Sequence, residues 1–468
     1  MVFSSAVFLL MFLPLVFVGN ILIKLIKKEF SNYFLLLASL IFYAWGEPYL
    51  VMLMIISVLV NWLVGLALSK TIGRMRSLFL VLGIICDLGI LGYYKYAGFF
   101  AETVNYLLKR EVIPVLAIAL PIGISFFTFQ AISYIVDVYR GDTEASYNLV
   151  NVALYISFFP QLIAGPIVKY RDINKQIENR SATWMDVSDG FKRFIYGLGK
   201  KVLIANTLGL CVDTIYAYDI TVIDCKAAWI GALAYTFQIY YDFSGYSDMA
   251  IGLGKMFGFH ILENFQYPYL SRSISEFWRR WHISLGSWFR EYVYIPLGGN
   301  RKGSVRTYIN LILVFFLTGL WHGADLSFVI WGLFHGFFSI IERAGLKKAL
   351  DKTKVISTVY TFFIVNVGWV LFRAEDTLTG LRYVARMMLP WRHQDLNIEM
   401  WNYMDIKTVF VFGCAVLGMG LIKSITPKQI KDYWNGSVIE AAYCVILLLL
   451  CLASVASDTY NPFIYFQF

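Results

Sequence analysis

The sequence is dominated by apolar runs long enough to cross a lipid bilayer, which requires about 20 helical residues for about 30 Å of hydrocarbon. Only 15% of its 468 residues are charged and 59% are hydrophobic, so charged side chains are too few to cover a soluble protein of this size. We therefore predict an all-α integral membrane protein. The apolar runs, several of them short or broken, lie near residues 6–23, 32–46, 49–69, 78–97, 112–139, 148–168, 202–218, 226–246, 307–341, 355–372, 407–422 and 438–455.

The basic residues between these runs predict how the chain is oriented. Lys and Arg number 40 against 31 Asp and Glu, a formal net charge of +9, and they cluster beside apolar runs, which favours the cytoplasmic membrane face over a nucleic-acid partner. The first run is followed by Lys24, Lys27 and Lys28, whereas a cleavable signal carries its charge in front. We expect a retained first span with the N-terminus outside.

The chain offers no sign of separate domains. No repeat, low-complexity tract or long polar linker divides it, so residues 1–468 are predicted to form a single polytopic membrane domain. Segment 148–168 contains Pro160 and Pro166, which favours a re-entrant segment over a straight span. The six cysteines lack CxxC spacing, although Cys211 and Cys225 could pair if their loop faces outward.

One candidate functional segment is Ser273–Tyr292, SISEFWRRWHISLGSWFREY, in which apolar residues recur at steps of three and four. This pattern predicts one amphipathic helix lying in the membrane interface, with Arg279 and Arg290 opposite its apolar face. His282 falls at the edge of that face, where its ring could line a protein cavity. An interfacial histidine that reaches the membrane surface without a chemical role fits the pattern equally well.

A second candidate is the apolar run that starts at Asn310 and carries His322, Asp325 and His335. Ionisable residues inside a membrane are energetically costly, so their presence indicates a functional role. The run 307–341 would be about 50 Å long as one helix, too long for a single span, so we predict two short arms joined by a turn at Gly323–Asp325. His322 would then lie on the floor of a cavity. The alternative is a core histidine bonded to a backbone carbonyl, which we favour for His335.

A third candidate is a polar cluster that is predicted to interrupt the span near residue 240. Its carboxylates could orient a histidine, bind a substrate hydroxyl or pair with an arginine, and structural pairing fits as well as a catalytic role. The cluster comprises Gln238, Tyr240, Tyr241, Asp242, Ser244, Tyr246, Ser247 and Asp248.

Several chemical classes find no support in the motifs. GLGK occurs at Gly197–Lys200 and at Gly252–Lys255, but neither copy has the remaining residues of a phosphate-binding loop. HExxH and GxSxG are missing, and the histidines lack i, i+4 spacing. We therefore expect no metal site, no haem and no permanently bound cofactor.

The segments that carry these residues resemble the membrane-bound O-acyltransferase (MBOAT) family, in particular its alginate O-acetylation branch. Together they cover nearly half of the chain, and their combination is highly specific. The segments are LPIGISFFTFQAISYIVDVYRGD from Leu120, FFPQLIAGPI from Phe158, FQIYYDFSGYSDMAIGLG from Phe237, ENFQYPYLSRSISEFWRRWHISLGSWFREYVYIPLGGNRKG from Glu263 and GLWHGADLSFVIWGLFHG from Gly319.

The resemblance implies a funnel of about eleven transmembrane helices with re-entrant and interfacial helices, whose thin floor separates a cytoplasmic donor side from an outward acceptor side. It also implies that His322 is the catalytic residue and that His282 is its partner. Because an imidazole can accept a hydroxyl proton at neutral pH, we expect His322 to act as the general base and His282 to assist it. The walls of the donor or acceptor site would be Trp278, Arg279, Arg280, Trp281, Tyr241, Asp242, Ser244, Tyr246, Asp248, Trp321 and Gly323.

The function expected from the resemblance is membrane O-acetylation. Acetyl-CoA or another acyl thioester, such as an acyl carrier, would donate an acetyl group from the cytoplasm of a bacterium, across its inner membrane, for O-acetylation of an alginate-like exopolysaccharide. Arg279, Arg280, Lys200 and Lys201 would attract the donor phosphates. A separate periplasmic or extracellular serine-type acetyltransferase is the expected partner, and no nucleic acid is. Alternatives are peptidoglycan or teichoic acid as acceptor, an acyl-histidine intermediate, or a transporter or scaffold without chemistry.

Overall fold

The computed structural model describes residues 1–389, 399–457 and 460–464, and over these ranges the chain forms helices and no strand. Short π-helical or 3₁₀ turns join some of the helices end to end. The α-helices are α1 Leu13–Ile26, α2 Phe30–Ala44, α3 Val51–Lys70, α4 Gly73–Leu91, α5 Ala97–Leu108, α6 Ile124–Arg140, α7 Leu149–Ser157, α8 Phe159–Leu162, α9 Tyr170–Glu178, α10 Trp184–Gly199, α11 Asn206–Tyr216, α12 Cys225–Met256, α13 Ile274–Arg280, α14 Ile283–Phe289, α15 Gly303–His322, α16 Leu326–Ile341, α17 Lys347–Leu350, α18 Lys354–Arg373, α19 Thr377–Met388, α20 Ile406–Val416, α21 Ile422–Ile425, α22 Lys428–Trp434 and α23 Val438–Ser457.

Within the described ranges, 9 helical stretches are long and apolar enough to cross a membrane. The prediction of an all-α, multi-pass integral membrane protein is therefore confirmed, while the funnel shape and the count of about eleven spans stay predictions. The stretches are Phe8–Ile26, Val51–Lys70, Gly73–Leu108, Trp184–Tyr216, Gly303–His322, Leu326–Leu350, Lys354–Arg373, Ile406–Ile425 and Val438–Ser457.

Three predicted spans differ in the structure. The run 112–139 is helical only from Ile124, because Pro114 and Pro121 interrupt the preceding backbone and Gly123 takes a left-handed φ of 75°. Segment 148–168 is broken at Phe158, as its prolines predicted, while a re-entrant path stays a prediction. The predicted interruption near residue 240 is wrong, because α12 runs unbroken through the polar cluster.

The described residues group into two compact units, so the single domain over 1–468 stays a prediction. The first unit contains Met1–Phe194 and Met249–Leu262. Its centre is α6, which is buried from Ile124 to Val138 and packs against α3 and α4. Its polar residues, Gln130 and Asp137 among them, are buried together with its apolar ones.

The second unit contains Ile195–Asp248 and the residues from Glu263 onwards. Its core is aromatic, with Trp281, Trp331 and Trp369 almost fully buried. Cys211 and Cys225 both belong to this unit and form no disulfide with each other, so the predicted possibility of a disulfide between them is wrong. The three candidate segments lie in this unit.

Candidate functional site

His322 is the last residue of α15, at the turn that the sequence predicted. Gly323 is extended, and α16 begins after Asp325, whose carboxylate accepts a hydrogen bond of 2.7 Å from the backbone N–H of Ser327. The position of the turn is confirmed, but the two short arms are wrong. Each helical stretch is long enough to span a bilayer by itself, with 20 residues in α15 and 25 in Leu326–Leu350, which joins α16 to α17.

Glycines let the two helices approach each other closely. A Cβ at Gly319 would lie 2.3 Å from the carbonyl oxygen of Phe328, and a Cβ at Gly332 would lie 2.3 Å from that of Phe315. A Cβ at Gly323 would lie 2.1 Å from the ring of Phe328. Gly323 therefore carries no side chain because a phenylalanine fills its place, which holds the turn beside His322 closed.

The single interfacial helix predicted for Ser273–Tyr292 is wrong, because the chain bends at His282. α13 ends at Arg280 and α14 begins at Ile283, and His282 between them has φ 46° and ψ 54°. This left-handed conformation is uncommon for a residue with a side chain and is found frequently at functional sites. A periodic apolar pattern continues across the bend, which is why periodicity alone could not reveal it.

Asn264 holds the bend in place. Its backbone carbonyl accepts a hydrogen bond from the N–H of Ile283, and its side-chain Oδ1 accepts one from the N–H of Ser284 at 3.1 Å and one from the hydroxyl of Ser284 at 2.9 Å. The same Oδ1 lies 3.3 Å from Nδ1 of His282. Sequence reasoning missed Asn264 and Ser284, since neither belongs to a charged or histidine motif.

The imidazole of His282 is buried, with 1% of the residue exposed. Its ring packs edge-on against Phe243, with ring centroids 4.7 Å apart. Burial lowers the pKa of His282 well below the usual value of 6.5, because the apolar surroundings disfavour the charged imidazolium. The alternative in which this ring reaches the membrane surface does not fit this position.

A row of aromatic rings links the two predicted histidines. Trp321 contacts both of them, with its ring centroid 5.9 Å from that of His282 and 5.0 Å from that of His322. The ring of His322 also packs against Trp331 at 5.0 Å and Phe372 at 5.5 Å. The structure thus brings His282, Trp321 and His322 together from two segments that are distant in the sequence.

His335 contacts the same aromatic cluster through Trp331 and Trp278. Its centroid is 5.3 Å from that of Trp331 and 5.1 Å from that of Trp278, and a Cβ at Gly368 would lie 2.5 Å from its Nε2. Among the described residues neither ring nitrogen has a hydrogen-bond partner, so the predicted bond to a backbone carbonyl is wrong.

The other predicted wall residues of this segment lie on α13 or directly after it, and they divide into two tryptophans and two arginines. Trp278 contacts His335 rather than His282, and Trp281 is buried against Phe265 and Trp369. Arg279 is exposed, whereas Arg280 forms an ion pair of 2.5 Å with Glu276. Of these two arginines, Arg279 is therefore the one that is available to a negatively charged ligand.

The carboxylates of the polar cluster are paired with lysines. Asp242 lies 2.7 Å from Nζ of Lys201, with both side chains 2% exposed, and Asp248 lies 2.6 Å from Nζ of Lys200. The expectation that Lys201 belongs to a basic surface is therefore wrong, because its charge is buried and matched. The arginine partner considered for Asp242 is also wrong.

The remaining predicted walls on α12 are buried. The hydroxyl of Tyr241 donates a hydrogen bond of 2.7 Å to the carbonyl of Ala415, Ser244 is 2% exposed, and the ring of Tyr246 packs on Phe463 at 4.8 Å. These contacts join α12 to the C-terminal part of the second unit. Phe243 is the α12 residue whose ring contacts His282, and the sequence did not single it out.

The arrangement as a whole offers two buried imidazoles in contact with the same indole, with an amide oxygen beside one of them. Such rings can accept or donate protons while excluding water. Among the described residues, no group of three or more His, Cys, Asp or Glu side chains could hold a metal ion.

Comparison with known proteins shows that the segments carrying this site match a protein family. A family model described as MBOAT, membrane-bound O-acyltransferase family, matches residues 142–347. This range includes the α12 cluster and the two histidines.

Relatives match beyond that range. The chain is 43% identical to a probable alginate O-acetylase of Pseudomonas putida, over 100% of both chains. It is 37% identical to a peptidoglycan O-acetyltransferase of Helicobacter pylori, over 83% of this chain and 80% of the relative. It is 29% identical to a teichoic acid D-alanyltransferase of Bacillus subtilis, over 54% of this chain and 69% of the relative.

Proposed function

Because the chain belongs to the membrane-bound O-acyltransferase family, we propose that it transfers acetyl groups from a cytoplasmic thioester, such as acetyl-CoA, for O-acetylation of an alginate-like exopolysaccharide. The full-length relative named as a probable alginate O-acetylase supports this acceptor. The relative named as a peptidoglycan O-acetyltransferase supports a second candidate, the cell-wall glycan, through the same chemistry.

The observation that carries the proposal is the contact of His282 and His322 with the same indole. Both histidines are buried, at 1% and 2% exposure, and both rings pack on Trp321. Acyl transfer competes with hydrolysis wherever water reaches a thioester, so a buried pair of imidazoles suits the reaction. A transporter or scaffold would not require them.

In the proposed reaction, His322 accepts the proton of the acceptor hydroxyl as that oxygen attacks the thioester carbonyl. The new C–O bond forms, the C–S bond breaks, and the thiolate leaves with the proton. His282 positions the donor carbonyl or leaving thiol, and its neutral state, favoured by burial, leaves it able to donate one hydrogen bond. An acyl group carried first on His322 is the alternative route.

The substrates would reach this site from opposite sides of a bacterial inner membrane. The exposed guanidinium of Arg279 is suited to the phosphates of a CoA donor. The acceptor hydroxyl would belong to the polysaccharide or to a separate periplasmic or extracellular serine-type acetyltransferase that receives the acetyl group first. Trp278, Trp281 and the α12 residues then support the walls rather than the chemistry.

The proposal is tested with protein reconstituted in lipid vesicles and supplied with acetyl-labelled CoA. We expect His322→Ala to lower label transfer by about 10² to 10⁴, the usual contribution of a general base, with donor binding retained. His282→Ala should give a smaller loss or a raised donor requirement. His260→Ala is the matched control, because His260 is exposed and belongs to the first unit.

Release of free CoA thiol, followed in the same vesicles, distinguishes catalysis from transport. A transferase releases one thiol for each acetyl transferred, whereas a transporter moves label without releasing thiol. Wild-type transfer in His322→Ala would remove His322 from the mechanism, and wild-type behaviour of His282→Ala would leave that residue a structural role.

A further inference from the structure

A basic cavity of about 640 Å³ lies in the first unit, beside the turn between α3 and α4. It is lined by Gly73, Arg74, Arg76, Ser77 and Tyr139. α3 ends at Lys70 and α4 begins at Gly73, and both belong to stretches that can span a membrane, so the cavity lies at a membrane surface. It falls outside the residues that the family model matches, and the proposed acyl transfer uses none of its side chains.

The arginines of this cavity keep their charge available. Arg76 donates a hydrogen bond of 3.0 Å from Nη2 to the carbonyl of Val138, and its guanidinium lies over the ring of Tyr139 at 5.5 Å. Its Nε is buried without a hydrogen-bond partner among the described residues. Among the residues that the structure describes, neither Arg74 nor Arg76 forms an ion pair with a carboxylate. Two positive charges therefore face the cavity without a negative charge that matches them.

Two neutral donors complete the polar wall of the cavity. The hydroxyls of Ser77 and Tyr139 lie 3.0 Å apart, and α4 starts without a side chain that caps its first N–H groups. Guanidinium, hydroxyl and free N–H groups together are the donor set that binds phosphate oxygens.

An exposed apolar stripe on α4 begins beside the cavity. Met75, Leu78, Leu82 and Ile85 follow one face of the helix at steps of three and four, and each is about half exposed. From Met75 to Ile85 the helix rises about 15 Å, which is half of the roughly 30 Å thickness of the hydrocarbon core. The stripe therefore matches the length of one acyl chain in one leaflet.

We propose that this cavity binds the headgroup phosphate of an anionic glycerophospholipid, with an acyl chain lying along the α4 stripe. The charge of the cavity selects the anionic headgroup, and the adjoining stripe distinguishes a lipid from a soluble phosphate ester. Basic pockets between spanning helices are known to bind anionic headgroups in other proteins.

The test is lipid binding to the detergent-solubilised full chain, followed by native mass spectrometry during titration with phosphatidylglycerol or with phosphatidylcholine of the same acyl chains. We expect the wild type to bind phosphatidylglycerol about tenfold more tightly than phosphatidylcholine, and Arg74→Gln/Arg76→Gln to lose this preference. Lys27→Gln/Lys28→Gln removes the same charge from exposed residues outside the cavity and should keep the preference.

Two further arms keep the test decisive. Arg74 is exposed, so Arg74→Glu should fold normally and lower phosphatidylglycerol binding without lowering phosphatidylcholine binding. Excess inorganic phosphate or acetyl-CoA should leave the bound phosphatidylglycerol in place. The proposal is overturned if both double variants bind phosphatidylglycerol equally, if Arg74→Glu binds it as the wild type does, or if either soluble phosphate displaces it. None of these readouts depends on acyl transfer.

Discussion

At the residue scale, the burial of His282 predicts how stability depends on pH. Its pKa is lowered in the folded protein, so below the unfolded value of about 6.5 the unfolded chain binds more protons, and acid destabilises the fold. Between pH 6.5 and 5.5 this residue should cost about 1 kcal/mol of stability. We expect the thermal unfolding midpoint of the wild type to fall more steeply over this range than that of His282→Gln. Parallel curves for the two proteins would show that His282 is solvated in the folded state.

The same residue shows what the sequence could and could not predict about the site. His282 and His322 were identifiable because ionisable residues are rare in apolar surroundings. Asn264 was not, because an asparagine in a polar loop carries no such signal, and its bonds to Ser284 exist only once the chain bends at His282. Lys200 and Lys201 were assigned to a donor surface because sequence reveals charge but not its partner.

At the element scale, the glycines of the second GLGK motif serve helix packing. A Cβ at Gly252 would lie 2.5 Å from the carbonyl oxygen of Gly190 and 2.8 Å from the backbone N of Phe194. Backbone atoms cannot move aside cheaply, so Gly252→Ala should destabilise the protein by about 1 to 3 kcal/mol despite the higher helix propensity of alanine. Gly89→Ala is the matched control, since nothing lies within 4 Å of its Cβ.

The measurement for this pair is the thermal unfolding midpoint in detergent. We expect Gly252→Ala to lower it and Gly89→Ala to leave it unchanged or raise it, because only the first introduces a clash. Equal shifts in the two variants would mean that the close approach at Gly252 does not contribute to stability.

Helix ends were predictable where a local rule fixes them and not where packing does. The turn after His322 follows from Gly323 and from Asp325, which caps the next helix, and both are recognisable as helix-ending and helix-starting residues in the sequence. The bend at His282 depends on hydrogen bonds that Asn264, 18 residues away from His282, accepts from Ile283 and Ser284. The polar cluster on α12 does not interrupt its helix because Lys200 and Lys201 match its carboxylates, so the polar residues remain compatible with a buried helix.

At the scale of the whole molecule, membrane character followed from the lengths of the apolar runs, and the family followed from motifs spread along the chain. The full-length match to a relative agrees with that spread. Orientation rests on a different rule, the bias of Lys and Arg toward the cytoplasm, which does not depend on how the helices pack. It is therefore predicted from charge alone.

This orientation can be measured on the stretch Gly73–Leu108 by placing cysteines beyond its two ends. The neighbouring Lys70, Arg74 and Arg76 predict that Ile72 faces the cytoplasm and Glu111 the outside. In intact bacterial spheroplasts we expect a membrane-impermeant maleimide to label Glu111→Cys and to leave Ile72→Cys unlabelled, both positions being exposed. Permeabilised membranes should give equal labelling, and the unsubstituted chain supplies the background from its own thiols. The reverse pattern would place the basic cavity at the outer surface and invert the predicted path of the donor.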